Sequence, residues 1–341
     1  MEQYRTIFNG RLEFGNRRTY DRVLEMYEHR FENYYKTQII FLAEELFDED
    51  DLCLHLPRMI NQATKKRWKN TINLFKHITE FAIAGSIDAW LLDGKILLEK
   101  HHLEPDGDKT VVKEYIKGRK LAAEETAMDE AIKALDRVID KFAKHSMAYE
   151  RRGYVNYQLK NYDDALYDYN KSIQLYERKP DPYYGRALTY LAQKNLEEAL
   201  VDFELVTKYA MPIEPLHWYA KRQKANVHFK LKQYESALKD AAAYVNRKFR
   251  SDSPHIKHQI SMKYFQGQIL MELERFEEAI KLFDELEKEW TNIPQLEKIE
   301  IFANRGIAKK RAGKRGFKKD LIFAAENGSK KAKKILNPSS K

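Results

Sequence analysis

One thirteen-residue helical pattern recurs along this chain. NYDDALYDYNKSI starts at residue 161, and its layout returns in NLEEALVDFELVT from Asn195, QYESALKDAAAYV from Gln233 and RFEEAIKLFDELE from Arg275. A fifth copy, MDEAIKALDRVI, lies upstream. Aligned on their central alanine, the copies place Ala131, Ala165, Ala199, Ala237 and Ala279 at intervals of 34, 34, 38 and 42 residues. Twelve residues before the last four alanines stands a small residue: Gly153, Ala187, Ala225 or Gly267. Four residues after each alanine comes Leu135, Tyr169, Phe203, Ala241 or Phe283.

A period of this length holds two helices of about a dozen residues plus their turns. The small residue on each helix lets the two axes approach closely, and the residue one turn later fills the space beside that contact. Apolar residues recur at helical spacing within each copy, as in Ala165, Leu166, Tyr169 and Ile173. A single hairpin cannot bury its apolar face, so neighbours must stack into an α-solenoid.

These offsets resemble the tetratricopeptide repeat (TPR) family, with repeats at about 112–145, 146–179, 180–213, 218–251 and 260–293. A degenerate sixth unit follows from about 299; it keeps Gly306, but Lys318 stands where alanine is expected, as in a polar capping repeat. In the first repeat Arg119 occupies the small-residue position, beside Gly118. Inserts at 211–214 and 252–259, marked by Pro212, Pro215 and Pro254, lengthen the connections around the fourth repeat.

The resemblance implies a binding module whose first helices line a concave groove. Carried onto this sequence, the groove positions are Tyr154, Tyr157, Tyr184, Tyr219, Arg222, Asn226, Phe229, Lys230 and Tyr264, with Glu150, Leu188 and Gln268 beside them. Aromatic rings next to Arg and Lys suit a protein or peptide partner with apolar anchors and some acidic character. The alternative role of the same tyrosines is packing between helices. The carboxylate-clamping subclass of the family is disfavoured, because Glu150, Tyr154 and Gly185 occupy its places. Only Arg222 and Asn226 imitate it.

Residues 1–110 change periodicity. Amphipathic helices are expected over 18–36 and 65–83, preceded by strands at Arg5–Phe14 and Asp51–Leu56 and followed by strands at Gln38–Leu42 and Ile87–Leu92. Strand, helix, strand, twice over, resembles the ferredoxin-like α+β arrangement. Asp93 and Gly94 mark a hairpin whose second strand reaches about Leu103, and the boundary to the solenoid is placed near residue 110. The repeat region then runs over 111–336, followed by a basic tail, 337–341.

Other chemistry is sparse. On that hairpin Asp88 and Glu99 resemble the metal-binding carboxylates of restriction-endonuclease-like nucleases, but His101 stands where their lysine belongs and Lys100 faces the other way. His101 and His102 diverge on a strand and make no metal site. No catalytic residue, cofactor or metal is expected, so a non-enzymatic adaptor is the expectation, with a nuclease-like enzyme in the N-terminal domain as the alternative. The single cysteine, Cys53, fits a reducing compartment, and no apolar stretch long enough for a membrane or a signal peptide appears. A cytoplasmic protein without membrane contact is therefore expected. The net charge of +9 is local: residues 309–341 carry twelve Lys/Arg against Asp320 and Glu326, a balance of +10. That end suits either a helix C-terminus or, as a further alternative, nucleic-acid phosphates.

Overall fold

A computed structural model describes residues 2–107, 109–288 and 295–337. Two compact units are distinguished, Met1–Gly185 and Arg186–Lys341.

The first unit begins with β1 (Tyr4–Glu13), α1 (Arg17–His29), β2 (Phe47–Asp48), β3 (Cys53–Ala63), α2 (Lys65–Thr79), β4 (Ala84–Asp93) and β5 (Ile96–Leu103). The strands form one antiparallel sheet in the order β2-β3-β1-β4-β5. Helix α1 joins β1 to β2 and α2 joins β3 to β4, so the first four strands have the expected ferredoxin-like order, and β5 is an added edge. Phe8 and Leu12 of β1, Ile87, Ala89 and Leu91 of β4, and Tyr27, Trp68 and Phe75 of the helices build the core on one face. Asn16 and Thr64 cap the two helices, each accepting from a backbone N–H three residues on.

Three local expectations need correction. Gln38–Leu42 is not a strand, although Ile39 and Phe41 point inward at strand-like alternation. Side chains of α2 satisfy its peptide groups instead. Arg67 donates to the Ile39 carbonyl at 3.0 Å and Asn70 to the Gln38 carbonyl at 3.0 Å, while Thr71 Oγ1 accepts from Ile40 N–H at 3.1 Å. The two-residue β2 takes the strand's place in the sheet. The first helix ends as α-helix at His29 and continues as one π-helical segment, Arg30–Tyr34. The hairpin turn is Gly94 and Lys95, between paired Asp93 and Ile96, because Gly94 adopts φ +55°.

Helices α3 (Thr110–Leu121), α4 (Met128–Lys141), α5 (Ser146–Gln158) and α6 (Tyr162–Leu175) complete most of this unit, and α7 (Pro180–Ala192) contains the division. The sheet's second face meets these helices. Lys144 lies 3.6 Å from Asp51, and the His55 ring lies 5.9 Å from Tyr176.

The second unit continues with α8 (Leu196–Tyr209), α9 (Pro215–Lys230), α10 (Tyr234–Val245), α11 (Gln259–Glu272), α12 (Phe276–Lys288), α13 (Gln295–Arg311), α14 (Phe317–Glu326) and α15 (Lys330–Leu336). The expected small-residue contacts are present. A Cβ added to Gly153 would stand 3.1 Å from the Tyr169 ring, and one added to Gly267 would stand 2.5 Å from Phe283. Gly118, not Arg119, faces Leu135 in the first pair, and Gly306 faces Leu321 and Asp320 in the last. The position aligned with alanine in the sixth unit is therefore Phe317 rather than Lys318, since its turn is one residue shorter. The ends of the fifth repeat (289–293) and of the tail (338–341) lie outside the described residues.

Where the fourth repeat has Ala241 in place of an aromatic, the connection after α10 supplies rings. Phe249 lies 5.3 Å from Tyr244 and 5.4 Å from Trp218, and His255 lies 5.8 Å from Tyr244.

Candidate functional site

Helices α5, α7, α9, α11 and α13 each turn into their partner through the same capped bend. Lys160, Lys194, Lys232, Glu274 and Gly313 all have positive φ, between 57° and 66°. The N–H of the following residue reaches back to a carbonyl five positions earlier, as in Asn161 to Asn156 and Lys314 to Lys309. These bends fix the rotation of the first helices, and hence which side chains they present.

In the second unit three first helices present a common cavity of about 370 Å³. Phe229 enters from α9, Gln268 and Met271 from α11, and Asn304, Ile307 and Arg311 from α13, with Lys331 of α15, Glu272, Glu274 and Phe276 at its margins. A small polar chain crosses it. Tyr264 Oη accepts from Gln268 Nε2 at 3.2 Å and from Asn304 Nδ2 at 2.7 Å, and Lys331 Nζ donates to Asn304 Oδ1 at 2.7 Å. The cavity thus offers an apolar wall, oriented side-chain amides, and two cations and two carboxylates among its lining. That combination suits an extended peptide carrying an apolar side chain next to polar backbone.

The nine sequence-derived residues divide by surroundings. Tyr154 is half-buried, with the Arg151 guanidinium 5.6 Å from its ring centre. Tyr157 lies 6.2 Å from Tyr162, and burial raises its phenol above the ordinary value. Tyr184 is half-buried. Tyr219 lies 4.5 Å from the His255 ring, and Asn226 donates to the Arg222 carbonyl at 3.1 Å. Lys230 is exposed, and Tyr264 lies 6.2 Å from Phe283. Phe229 touches Tyr234 and Phe265 at 5.5 and 5.2 Å and also lines the cavity.

Met271, Asn304, Ile307, Arg311 and Lys331 were not among the sequence-derived positions. Three of them follow the offsets already in use: Met271 stands four after Gly267, as Phe229 stands four after Ala225, while Ile307 and Arg311 stand one and five after Gly306. A second missed pattern is ionic. Arg152, Arg186, Lys224 and Arg305, each just before the small residue, reach buried Asp168, Asp202, Asp240 and Asp320 on the paired helix at 2.6, 2.7, 3.4 and 2.8 Å. Its signal is a cation before the small residue and, in three of the four pairs, an aspartate three after the alanine.

The hairpin of the first unit separates the carboxylates that a shared metal would need. Glu99 accepts from Trp68 Nε1 at 2.9 Å on the helix-covered face, whereas Asp88 pairs with His102 Nδ1 at 3.0 Å on the opposite face. His102 also lies 3.7 Å from Glu104, which Arg119 of α3 holds at 2.6 Å. Hydrogen bonding to Asp88 and then Glu104 pushes the His102 imidazole up to about 9. Among the described residues no group of three or more His, Cys, Asp or Glu could hold a metal ion, and no helix is long and apolar enough to cross a membrane.

Residues 128–183, 184–254 and 260–288 match the family described as tetratricopeptide repeat. A TPR repeat-containing protein of Methanocaldococcus jannaschii is 25% identical over 159 residues, 45% of this chain and 26% of the relative. The chain therefore spans about a quarter of the length of that curated relative. Among solved structures, YrrB, described as a TPR protein with an unusual peptide-binding site, shares a TM-score of 0.51 at 18% identity, over 60% of this chain and 98% of its own. PilF of Pseudomonas aeruginosa shares 0.50 at 12% identity, over 68% and 100%. At these identities the structural likeness is one of fold.

Proposed function

The chain carries tetratricopeptide repeats at 128–183, 184–254 and 260–288, and from that premise we propose that it is a non-enzymatic adaptor that holds a protein or peptide segment on its first helices. The repeat region is taken as 111–336 and the α+β domain as 1–110. The observation that carries the proposal is the cavity of about 370 Å³ to which α9, α11 and α13 all contribute. Three successive first helices meeting in one recess give an extended ligand a continuous wall.

Phe229, Met271 and Ile307 supply an apolar anchor site. Gln268 offers its amide oxygen to the ligand backbone, and Arg311 favours an acidic group beside the anchor, while Asn304 and Lys331 hold each other in place. Tyr154, Tyr157 and Tyr184 in the first unit, and Tyr219, Arg222, Asn226, Lys230 and Tyr264 in the second, are proposed to extend the contact. A displayed random peptide library selected on the full chain tests this reading. Enriched sequences should pair a large apolar residue with Asp or Glu and should be lost on a Met271→Glu variant of unchanged helical content. Enrichment that survives both Met271→Glu and Tyr219→Ala would place binding elsewhere.

A further inference from the structure

The first unit carries a second recess, independent of the repeat cavity. Where α1 passes into its π-helical segment, a groove of about 620 Å³ opens against residues 42–44. Its floor includes Phe31 and Leu42, the latter 46% exposed. Glu25, Glu28, Glu32 and Glu44 stand around it, all exposed. Glu25 and Glu28 stand three apart on α1 and Glu32 follows on the π-helical segment, so the three succeed one another along the groove.

The same chain carries a complementary row. Lys330, Lys333 and Lys334 of α15 are exposed and stand at i, i+3 and i+4. Ala332, Ile335 and Leu336 of that helix face its own core, so the lysines are what the helix offers outward. With a balance of +10 over residues 309–341 and −1 over the rest, this end is where the chain's positive charge collects.

We propose that the acidic groove docks the lysine-rich α15 of a second copy of this chain. Lysine stems would lie on Phe31 and Leu42 while their ammonium groups reach the glutamate row, an arrangement that uses both halves of an amphipathic side chain. The contact joins two different patches, so it is head-to-tail and propagates into rings or open chains rather than stopping at a symmetric dimer.

Sedimentation of the full chain over a concentration series tests it at two ionic strengths, about 0.1 M and about 1 M, between which the Debye length falls from about 10 Å to about 3 Å. Association is expected at the lower value and lost at the higher. Reversing charge at Glu28→Lys with Glu32→Lys, or at Lys333→Glu with Lys334→Glu, should weaken association at least roughly tenfold. Mixing the two reversed chains should restore it, because each then supplies the other's complement. A chain that stays monomeric at low salt overturns the proposal, as does association that both reversals leave unchanged. Binding of a peptide of residues 329–337 without self-association of intact copies also overturns it, assigning the groove to some other basic partner.

Discussion

Asp168 is 1% exposed and receives Arg152 through two nitrogens and Asn156 through one. Burial raises its carboxyl, and the Arg152 guanidinium pulls the other way. Removing the aspartate leaves Arg152 the more exposed Asp136 and the Tyr149 ring. Asp168→Ala should therefore cost about 3–5 kcal/mol in denaturant unfolding; a loss below about 1 kcal/mol would show the pair to be dispensable. His145 offers a sharper test because it titrates. Its Nδ1 accepts from Ala148 N–H at the start of α5, and full burial pushes the imidazole down to about 3. The unfolded chain takes up this proton first, so the contribution is complete above about 6.5 and is lost as pH falls from there toward 3. His145→Asn keeps a capping acceptor and removes the titration. Its stability should vary less with pH across that window, measured by thermal unfolding. The ionic pattern was legible in the sequence as a cation and an aspartate at fixed offsets. His145 was not, because nothing local distinguishes a buried histidine cap from an exposed one.

At the scale of elements, the bends between paired helices use lysine or glutamate where the backbone is left-handed, except in the last, which has Gly313. A side chain there costs about 1 kcal/mol relative to glycine. Lys232→Gly should thus raise stability by up to about 1 kcal/mol, read as an increase in Tm, and a decrease would mean that the lysine side chain makes a compensating contact. The helix pairs were legible because one physical demand, a close axis contact, repeats at nearly constant spacing. Gln38–Leu42 was not, for the opposite reason. Its alternation is that of a strand, and what keeps it out of the sheet is Arg67, Asn70 and Thr71, about thirty residues further on. Burial pattern specifies a face; backbone partners decide the element.

For the whole molecule, the split of charge and the position of the cavities suggest two kinds of contact. The repeat cavity is proposed to take a foreign segment with an apolar anchor, and the glutamate groove the basic end of a second copy. The cavity was half legible. Phe229 and Gln268 came from offsets in the fourth and fifth repeats, and the same offsets reach Met271, Ile307 and Arg311. Lys331 lies on a helix after the last repeat and has no counterpart from which to infer it.

The central claim is that a partner segment occupies the recess between α9, α11 and α13. Calorimetric titration of one library-selected peptide into the full chain, and into Met271→Glu and Arg311→Glu variants, tests it most directly. The account predicts at least roughly tenfold weaker binding for each, a loss of about 1.4 kcal/mol or more, with Tm unchanged. Equal affinity for all three chains would contradict it.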